Sequence, residues 1–209
     1  MTEERVLWGV GSARALRVHW ALIELGLEYR SERIQSRSGE TEAPAYRRLN
    51  PRGKIPVLED GDLVLYESGA IVTYLAETYG DGRLIPAGGA ERAKYFEWVS
   101  FISMEIDATT LYVLRRHEAL PEIYGEAPTA NAAARGYFDR MIAAAARDLE
   151  DGRTYLLGPE FSGADILMTT CLDWALAYRV TLPEPWLAYR ERTVARPAYA
   201  RAMAANAVD

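Results

Sequence analysis

One proline constrains the fold of this chain more than any other residue. Pro56 opens the apolar run 55–58, inside a stretch of turn, strand and helix signals that spans residues 50–79. Proline has no N–H group for a sheet ladder, so a strand that begins on it lies at the edge of a sheet or bends there, for example through a cis peptide bond. A cis Ile55-Pro56 bond would turn the peptide groups of Ile55 outward, where the backbone of a peptide-like ligand can pair with them as an added strand.

The residues that follow predict a hairpin and then a helix. Asp60-Gly61 indicates a tight turn into the alternating strand 63–66, and Ser68 is the predicted N-cap of a helix that runs to residue 79. Glu67 and Ser68 would then lie beside the strand edge, at a helix N-terminus that favours anionic groups. Two interpretations are open: a peptide-binding edge, or an ordinary hairpin followed by a capped helix.

This stretch resembles the glutathione-binding half of the soluble glutathione transferase superfamily. The resemblance lies in the run Asn50-Pro51-Arg52-Gly53-Lys54-Ile55-Pro56-Val57-Leu58, followed by Glu67-Ser68 and the helix 70–79. It implies that the backbone of Ile55, before a cis Pro56, pairs with the cysteinyl part of glutathione. It also implies that Glu67 and Ser68 bind the γ-glutamyl end, with Lys54 as a further contact.

The first forty residues predict a parallel β-α-β unit, with strands 5–10 and 28–34 on either side of an amphipathic helix 13–25. The turn Gly9-Val10-Gly11 suggests a dinucleotide-binding motif. Two features argue against it, because Arg14 occupies the third glycine position and the chain continues into an antiparallel hairpin instead of a doubly wound sheet.

Under the resemblance the same turn is the catalytic loop, and Ser12 is the predicted catalytic residue and a further glutathione contact. A thiolate attacks electrophiles whereas a thiol hardly does, and an unperturbed thiol titrates near ~8.5. A hydroxyl that donates to the sulfur, together with the positive end of helix 13–25, would stabilise the anion. Ser12 can also cap its helix, and the two roles are compatible. Many bacterial members carry serine at the position of Ala13, and isomerase-type members carry cysteine at that of Arg14.

The glycine-rich segment 81–90 is the predicted linker between two domains. Residues 1–80 are expected to form an α/β thioredoxin-like domain with the order β-α-β-α-β-β-α. Residues 91–209 are expected to form an all-α helical bundle, whose first long helix covers residues 91–117. In the family that helix lines both the dimer interface and the pocket of the acceptor substrate, which implies a homodimer.

Asp107 lies on this long helix, at a position where bacterial relatives often have histidine. If the equivalence holds, Asp107 faces the acceptor-substrate cleft and changes its electrostatics. The alternative is an ordinary solvated charge on a helix surface. Further along, Ser162 and Asp165 have the spacing of a capping box, which resembles the buried structural motif of the family's second domain.

Composition limits the remaining possibilities. The chain has 209 residues and a net charge of −6, with no basic stripe to meet phosphates, so we expect no nucleic-acid partner. A single cysteine, Cys171, excludes an internal disulfide, and neither histidine has a companion at metal-ligand spacing, so no metal is expected. Without an apolar run of membrane-spanning length or a signal-peptide pattern, we expect a cytoplasmic protein with no membrane association.

The sequence therefore predicts a detoxification enzyme, a glutathione S-transferase that joins the thiolate of its co-substrate glutathione to small hydrophobic electrophiles. A glutathione-dependent isomerase or dehalogenase of the same fold would share every glutathione contact. A non-catalytic glutathione-binding or ligand-binding stress protein would retain Ile55-Pro56 and Glu67-Ser68 but has no need of Ser12. Nothing in the sequence identifies the electrophile.

Overall fold

The computed structural model describes residues 4–208. Its strands form one sheet with the order β2-β1-β3-β4, in which β1 and β2 are parallel and the other neighbours are antiparallel. The strands are β1 (Arg5–Val10), β2 (Arg30–Gln35), β3 (Val57–Asp60) and β4 (Leu63–Tyr66). The predicted parallel unit followed by a hairpin is confirmed, although β3 lies inside the sheet and β4 forms its edge.

Three helices accompany this sheet: α1 (Ala13–Leu25), α2 (Pro44–Leu49) and α3 (Ser68–Tyr79), with a 3₁₀ turn at Glu40–Glu42. Gly26 ends α1 in the left-handed conformation, with φ of 72°, which glycine adopts without a steric penalty. Fully buried apolar side chains from the sheet and from α1 and α3 form the core, among them Leu7, Leu22, Leu58, Ile71 and Leu75. This is the thioredoxin-like arrangement that the resemblance implies.

The rest of the chain is helical, as predicted. The elements are α4 (Gly89–Phe101), a π-helical stretch (Ile102–Leu111), α5 (Tyr112–Leu114), a second π-helical stretch (Arg115–Ala119), α6 (Pro121–Tyr124), α7 (Pro128–Ala146), a 3₁₀ turn (Arg147–Leu149), α8 (Gly163–Ala177), α9 (Glu184–Val194) and α10 (Pro197–Asn206).

The long helix predicted over 91–117 contains π turns, which its sequence pattern did not indicate. Threonine hydroxyls accompany the change of pitch, because Thr109 Oγ1 donates to Met104 O at 2.6 Å and Thr110 Oγ1 donates to Ile106 O. Such side-chain bonds compete with the regular i to i−4 ladder and bend helices. The wider turn of a π-helix buries Ile102, Ile106, Thr110 and Leu114 at a spacing of four residues.

The predicted capping box at the start of α8 forms around a fully buried carboxylate. Asp165 Oδ2 accepts from the backbone N and the Oγ of Ser162, at 2.8 and 2.6 Å, while Oδ1 accepts from Leu156 N at 2.9 Å and Tyr189 Oη at 2.7 Å. Burial raises the pKa of Asp165, and these four donated hydrogen bonds oppose that rise. Asp165 therefore connects α8, α9 and the preceding loop.

Contacts divide the chain into two compact units: residues up to Ile85 together with those from Val194 onward, and Pro86–Thr193. The last helix, α10, thus belongs by packing with the first unit. It contacts α1. The rings of Tyr199 and Trp20 pack edge to face with their centroids 5.0 Å apart, and Arg196 forms an ion pair with Glu24. The sequence predicts domains 1–80 and 91–209 with a linker at 81–90, and those boundaries stay a prediction. The sequence did not indicate that the residues from Val194 onward pack with the first unit.

Candidate functional site

The turn between β1 and α1 presents the hydroxyl of Ser12. Gly11 takes a φ of +71°, and Ser12 is the N-cap of α1, with its Oγ accepting a hydrogen bond from Ala15 N at 3.0 Å. A serine hydroxyl has two acceptor lone pairs and one O–H donor, so capping leaves the donor available to a ligand. The cap expected from the sequence is confirmed, and the catalytic role of Ser12 stays a prediction.

His19 forms a hydrogen bond to Gly9, at the beginning of the same turn. Its Nε2 lies 3.2 Å from Gly9 O and its Nδ1 lies 2.7 Å from Tyr29 Oη. A carbonyl oxygen only accepts, so Nε2 carries the proton and donates, while Nδ1 accepts from the Tyr29 hydroxyl. Burial lowers the pKa of His19 to about 4, against the opposing effect of the bond to Gly9, and the charge of Arg33 lowers it further. The imidazole is therefore neutral near pH ~7.

The bond between Ile55 and Pro56 is cis, as the sequence led us to expect. The ladders of β3 with β1 and with β4 begin at Val57, so Ile55 lies just outside the sheet. Within residues 4–208, the N–H and C=O groups of Ile55 make no backbone hydrogen bond. Pro56 is buried while Ile55 is half-buried, which leaves those two peptide groups available to pair with an extended ligand.

Two side chains fix the loop that leads to the cis peptide. Tyr46 Oη and Asn50 Nδ2 both donate to Lys54 O, at 2.6 and 2.7 Å. Burial raises the pKa of Tyr46 to about 12, so its hydroxyl keeps its proton and donates at neutral pH. The Lys54 side chain is exposed, and its predicted contact with glutathione stays untested. Sequence reasoning missed Tyr46, whose place on α2 gave no signal of this role.

The Ser12 turn and the cis peptide lie next to each other in space. Gly9 has a φ of +121°, and a Cβ atom added to it would lie only 2.6 Å from the Cβ of Ile55. Only glycine permits this approach of the two backbones, because it has no Cβ atom. The close contact brings the predicted catalytic turn to the residue predicted to pair with glutathione.

Glu67 and Ser68 begin α3, with one correction to the predicted cap. Glu67 is the N-cap residue, at φ of +67°, and Ser68 is the first residue of the helix. The Ser68 side chain points inward, and its Oγ accepts from Arg17 Nη1 at 3.2 Å, so it is committed to a tertiary bond instead of a cap. Arg17 is itself buried, and the sequence gave no indication that its charge lies behind Ser68.

The side chain of Glu67 is exposed, with its Oε1 3.5 Å from Arg52 Nη1. The guanidinium of Arg52 in turn lies over the Tyr66 ring, 5.2 Å from its centroid. An exposed pair at this distance contributes little stability, which leaves the Glu67 carboxylate free to meet a cationic group of a ligand.

Asp107 lies in the second unit, within the π-helical stretch, and only 2% of its surface is exposed. That burial excludes the solvated helix charge considered from the sequence. Its predicted place in an acceptor-substrate cleft stays a prediction. Cys171 is buried in α8, as expected for a small apolar side chain.

Among residues 4–208, no group of three or more histidine, cysteine, aspartate or glutamate side chains is arranged to bind a metal ion. None of the helices in the same range has the length and apolar character needed to cross a bilayer.

Comparison with known proteins places this geometry in a family. The chain is similar to the theta class glutathione S-transferase from the citrus canker pathogen Xanthomonas axonopodis pv. citri, solved with glutathione bound. The two share 31% identity and a TM-score of 0.82, over 96% of this chain and 97% of that structure.

Two curated relatives match shorter segments. A probable maleylacetoacetate isomerase of Vibrio cholerae is 42% identical over 85 residues, which are 41% of this chain and 40% of the isomerase. Elongation factor 1-gamma of Prunus avium is 36% identical over 129 residues, which are 60% of this chain and 29% of the factor. The chain thus matches less than half of the length of either relative.

Two family models match the chain in succession. The model of the glutathione S-transferase N-terminal domain matches residues 5–77, and that of the C-terminal domain matches residues 128–205. Together they cover more than half of the sequence. The N-terminal model matches the part that contains the sheet, and the C-terminal model matches the helical part. The chain belongs to the glutathione S-transferase family.

Proposed function

We propose that this protein is a glutathione transferase that ionises the thiol of glutathione and transfers it to small hydrophobic electrophiles. The observation that carries the proposal is the hydrogen bonding of the Ser12 hydroxyl. Its Oγ accepts from Ala15 N and so keeps its O–H donor for a ligand, at the N-terminus of a thirteen-residue helix and next to the close contact of Gly9 with Ile55.

The thiol needs help to ionise at neutral pH. Lowering its pKa from ~8.5 by roughly two units requires about 2.7 kcal/mol. A hydrogen bond to a charged acceptor contributes ~1.5–3 kcal/mol, and the dipole of α1 adds ~0.3–1 kcal/mol for an anion near its first turn. The hydroxyl of Ser12 and the N-terminus of α1 together supply an effect of that size. Ser12 then acts as a hydrogen-bond donor to the thiolate and forms no covalent bond itself.

Glutathione is a tripeptide, and the rest of the site suits one. The free N–H and C=O groups of Ile55, beside cis Pro56, can pair with the backbone of its cysteinyl residue. Glu67 is assigned to the ammonium group of the γ-glutamyl residue, because its carboxylate is exposed and a charge-assisted hydrogen bond suits that pair. Ser68 is assigned to the carboxylate of the same residue, because its Oγ accepts from Arg17 and still has an O–H to donate. Lys54 remains a further candidate contact.

The proposal gives the second substrate only as a class, small hydrophobic electrophiles. Asp107 is retained as a candidate residue of the acceptor-substrate cleft, and its burial means that it would act there with little solvent screening. The proposal also includes a cytoplasmic homodimer with a role in detoxification, as expected from the sequence.

An isomerase of the same fold is the second candidate, favoured by the 42% identity with the probable maleylacetoacetate isomerase. Arg14 weighs against it, since isomerase-type members have cysteine at that position. A dehalogenase would likewise use the same glutathione contacts. The remaining alternative is a glutathione-binding or ligand-binding protein without chemistry.

Titration of the bound thiol separates chemistry from binding. The ultraviolet absorbance of the thiolate, followed against pH on the protein saturated with glutathione, gives the pKa of the bound thiol. We expect a value about two units below that of free glutathione, and a return most of the way in Ser12→Ala. Binding with an unshifted thiol pKa in the wild-type protein would leave only the non-catalytic alternative. A panel of aryl halides, haloalkanes and unsaturated acids then distinguishes transferase, dehalogenase and isomerase.

A further inference from the structure

The C-terminal end of α10 lies on the turn that presents Ser12. Asn206, the last residue of α10, contacts this turn twice: its backbone O accepts from Gly11 N at 2.8 Å, and its side-chain Nδ2 donates to Ser12 O at 3.2 Å. The side chain of Val208 covers Gly11, with a methyl carbon 3.4 Å from the place that a Cβ of Gly11 would occupy. One residue from the far end of the sequence therefore holds the backbone on both sides of the Gly11-Ser12 peptide.

Asn206 is itself firmly placed. Arg33 of β2 donates from Nη1 to Ala205 O at 3.2 Å and from Nη2 to Ala207 O at 2.7 Å. These carbonyls belong to the C-terminal end of α10, where a cation is favoured by the helix dipole and satisfies acceptors that have no partner within the helix. At the other end of α10, Arg196 pairs with Glu24 of α1. The helix is thus attached at one end to β2, the neighbour of β1 in the sheet, and at the other end to α1, which follows the Ser12 turn.

The turn needs such support, because its own backbone is permissive. Gly11 is exposed and adopts a left-handed φ of +71°, and glycine readily visits other conformations. His19 fixes Gly9 O at the start of the turn, and the cap bond to Ala15 N fixes the Ser12 side chain. Leu16 N also donates to Ser12 O, at 2.9 Å, as the first bond of α1, and Asn206 Nδ2 shares that acceptor. None of these other contacts reaches Gly11 N, and there Asn206 O supplies the bond that holds the backbone before Ser12. Displacement of a catalytic group by about 1 Å costs on the order of a hundredfold in rate.

We propose that Asn206 is a positioning residue for Ser12: by bonding to Gly11 N and Ser12 O it aims the Ser12 hydroxyl at the glutathione sulfur. Asn206 would act through Ser12 and not through a contact of its own with substrate. The inference rests on the proposed role of Ser12 and adds that the end of the chain takes part in thiolate stabilisation.

The test uses Asn206→Ala and Asn206→Asp in the full chain, with glutathione and a chromogenic aryl halide as substrates. Asn206→Ala loses the bond to Ser12 O but keeps the backbone bond to Gly11. We expect the pKa of bound glutathione to rise by ~0.5–1 unit, the size of one neutral hydrogen bond, and kcat to fall about tenfold. The KM for glutathione should change by less than about twofold, since Ile55, Glu67 and Ser68 are untouched. Asn206→Asp, which cannot donate and places a negative charge beside Ser12 O, should raise the thiol pKa further.

Met203→Ala is the matched control, because Met203 lies on the same helix with 44% of its surface exposed. It should leave the thiol pKa and kcat unchanged. The inference is overturned if both Asn206 variants keep the wild-type thiol pKa, whether or not their thermal stability falls, because a purely structural contact would show that result. If the wild-type protein itself fails to lower the thiol pKa, the proposed function falls first and this inference with it. A wild-type shift that survives in the Asn206 variants refutes the inference alone.

Discussion

Gly9 and Ile55 approach so closely that a methyl group on Gly9 would lie 2.6 Å from the Cβ of Ile55. Substitution Gly9→Ala must therefore move one of the two backbones, and it also places a side chain at a φ of +121°. We expect the free energy of unfolding to fall by about 2 kcal/mol or more, and glutathione to bind at least about tenfold more weakly. Urea denaturation and calorimetric titration with glutathione measure the two effects.

Gly26→Ala provides the control for backbone strain alone. Gly26 also has a positive φ, +72°, but no atom lies within 4 Å of an added Cβ. Its substitution should cost about 1 kcal/mol of stability and leave the glutathione Kd unchanged. Equal losses of glutathione affinity in both variants would mean that the contact between Gly9 and Ile55 does not shape the site.

Glu67→Gln tests the contact with the ammonium group of glutathione. Glutamine keeps the size of the side chain and the same unfavourable φ of +67°, so only the charge is removed. Loss of a charge-assisted bond of ~1.5–3 kcal/mol should raise the Kd for glutathione by about tenfold or more, with little change in the pKa of the bound thiol.

Arg52→Gln is the matched variant for the same pair. Because Arg52 and Glu67 are exposed and 3.5 Å apart, we expect the variant to lose less than about 1 kcal/mol of stability. Its Kd for glutathione should change by less than about threefold. If Arg52→Gln weakened binding as much as Glu67→Gln, the carboxylate would act mainly through Arg52.

The two roles of Ser12, helix cap and thiol partner, can be separated by substitution. Ser12→Ala loses both, so we expect a stability loss of about 1 kcal/mol together with most of the turnover. Ser12→Asp retains a good N-cap but no donor at neutral pH, and should recover stability without recovering turnover. Ser12→Thr retains both and should keep both. Recovery of turnover in Ser12→Asp would show that capping, and no donated hydrogen bond, is what the reaction needs.

Much of the first unit could be predicted because its signals are local. The run from Asn50 to Leu58 and the pair Glu67-Ser68 are contiguous, and a proline after Ile55 leaves few ways to continue a strand. Helix α1 begins after the predicted cap Ser12 and covers the predicted residues 13–25. Resemblance to a family then supplied roles that periodicity alone does not contain.

The contacts that arrange the site could not be predicted, since they join residues far apart in sequence. Asn206 reaches Ser12 across 194 positions, and Arg17 reaches Ser68 across 51. No sequence pattern identifies the partner of a buried arginine or of an asparagine at the end of a helix. The π turns before Tyr112 were not predicted for a different reason. Buried residues four positions apart fit an α-helix nearly as well as a π-helix.

His19 predicts a specific dependence of stability on pH. Its folded-state pKa of about 4 lies below the ordinary 6.5, so the unfolded chain binds the proton that the folded chain excludes. This contribution is fully present above pH ~6.5 and is lost as the pH falls towards ~4, with about 2 kcal/mol gone by pH ~5. Burial and the charge of Arg33 favour the neutral form of the ring, whereas the bond to Gly9 O favours the protonated form and is outweighed.

The measurement compares wild-type and His19→Gln by urea denaturation at several pH values. Carboxylates titrate in the same range, but the difference between the two proteins removes their contribution. Between pH ~7 and pH ~5 the wild-type advantage should shrink by about 2 kcal/mol. A difference that stays constant over that range would contradict a neutral, buried His19.

Asp165 is the strongest candidate for a residue that serves folding and no chemistry. Its carboxylate accepts four hydrogen bonds inside the second unit, from Leu156, Ser162 and Tyr189. Asp165→Ala leaves four buried donors without an acceptor, each of which costs about 1–3 kcal/mol, so we expect a loss of more than about 3 kcal/mol and poor recovery of folded protein. Ser162→Ala removes one of the four bonds and should cost about 1 kcal/mol. In both variants the folded fraction, isolated at low temperature, should bind glutathione with the wild-type Kd and the wild-type thiol pKa. A Ser162→Ala protein of nearly normal stability that had lost turnover would instead give the capping box a part in the reaction.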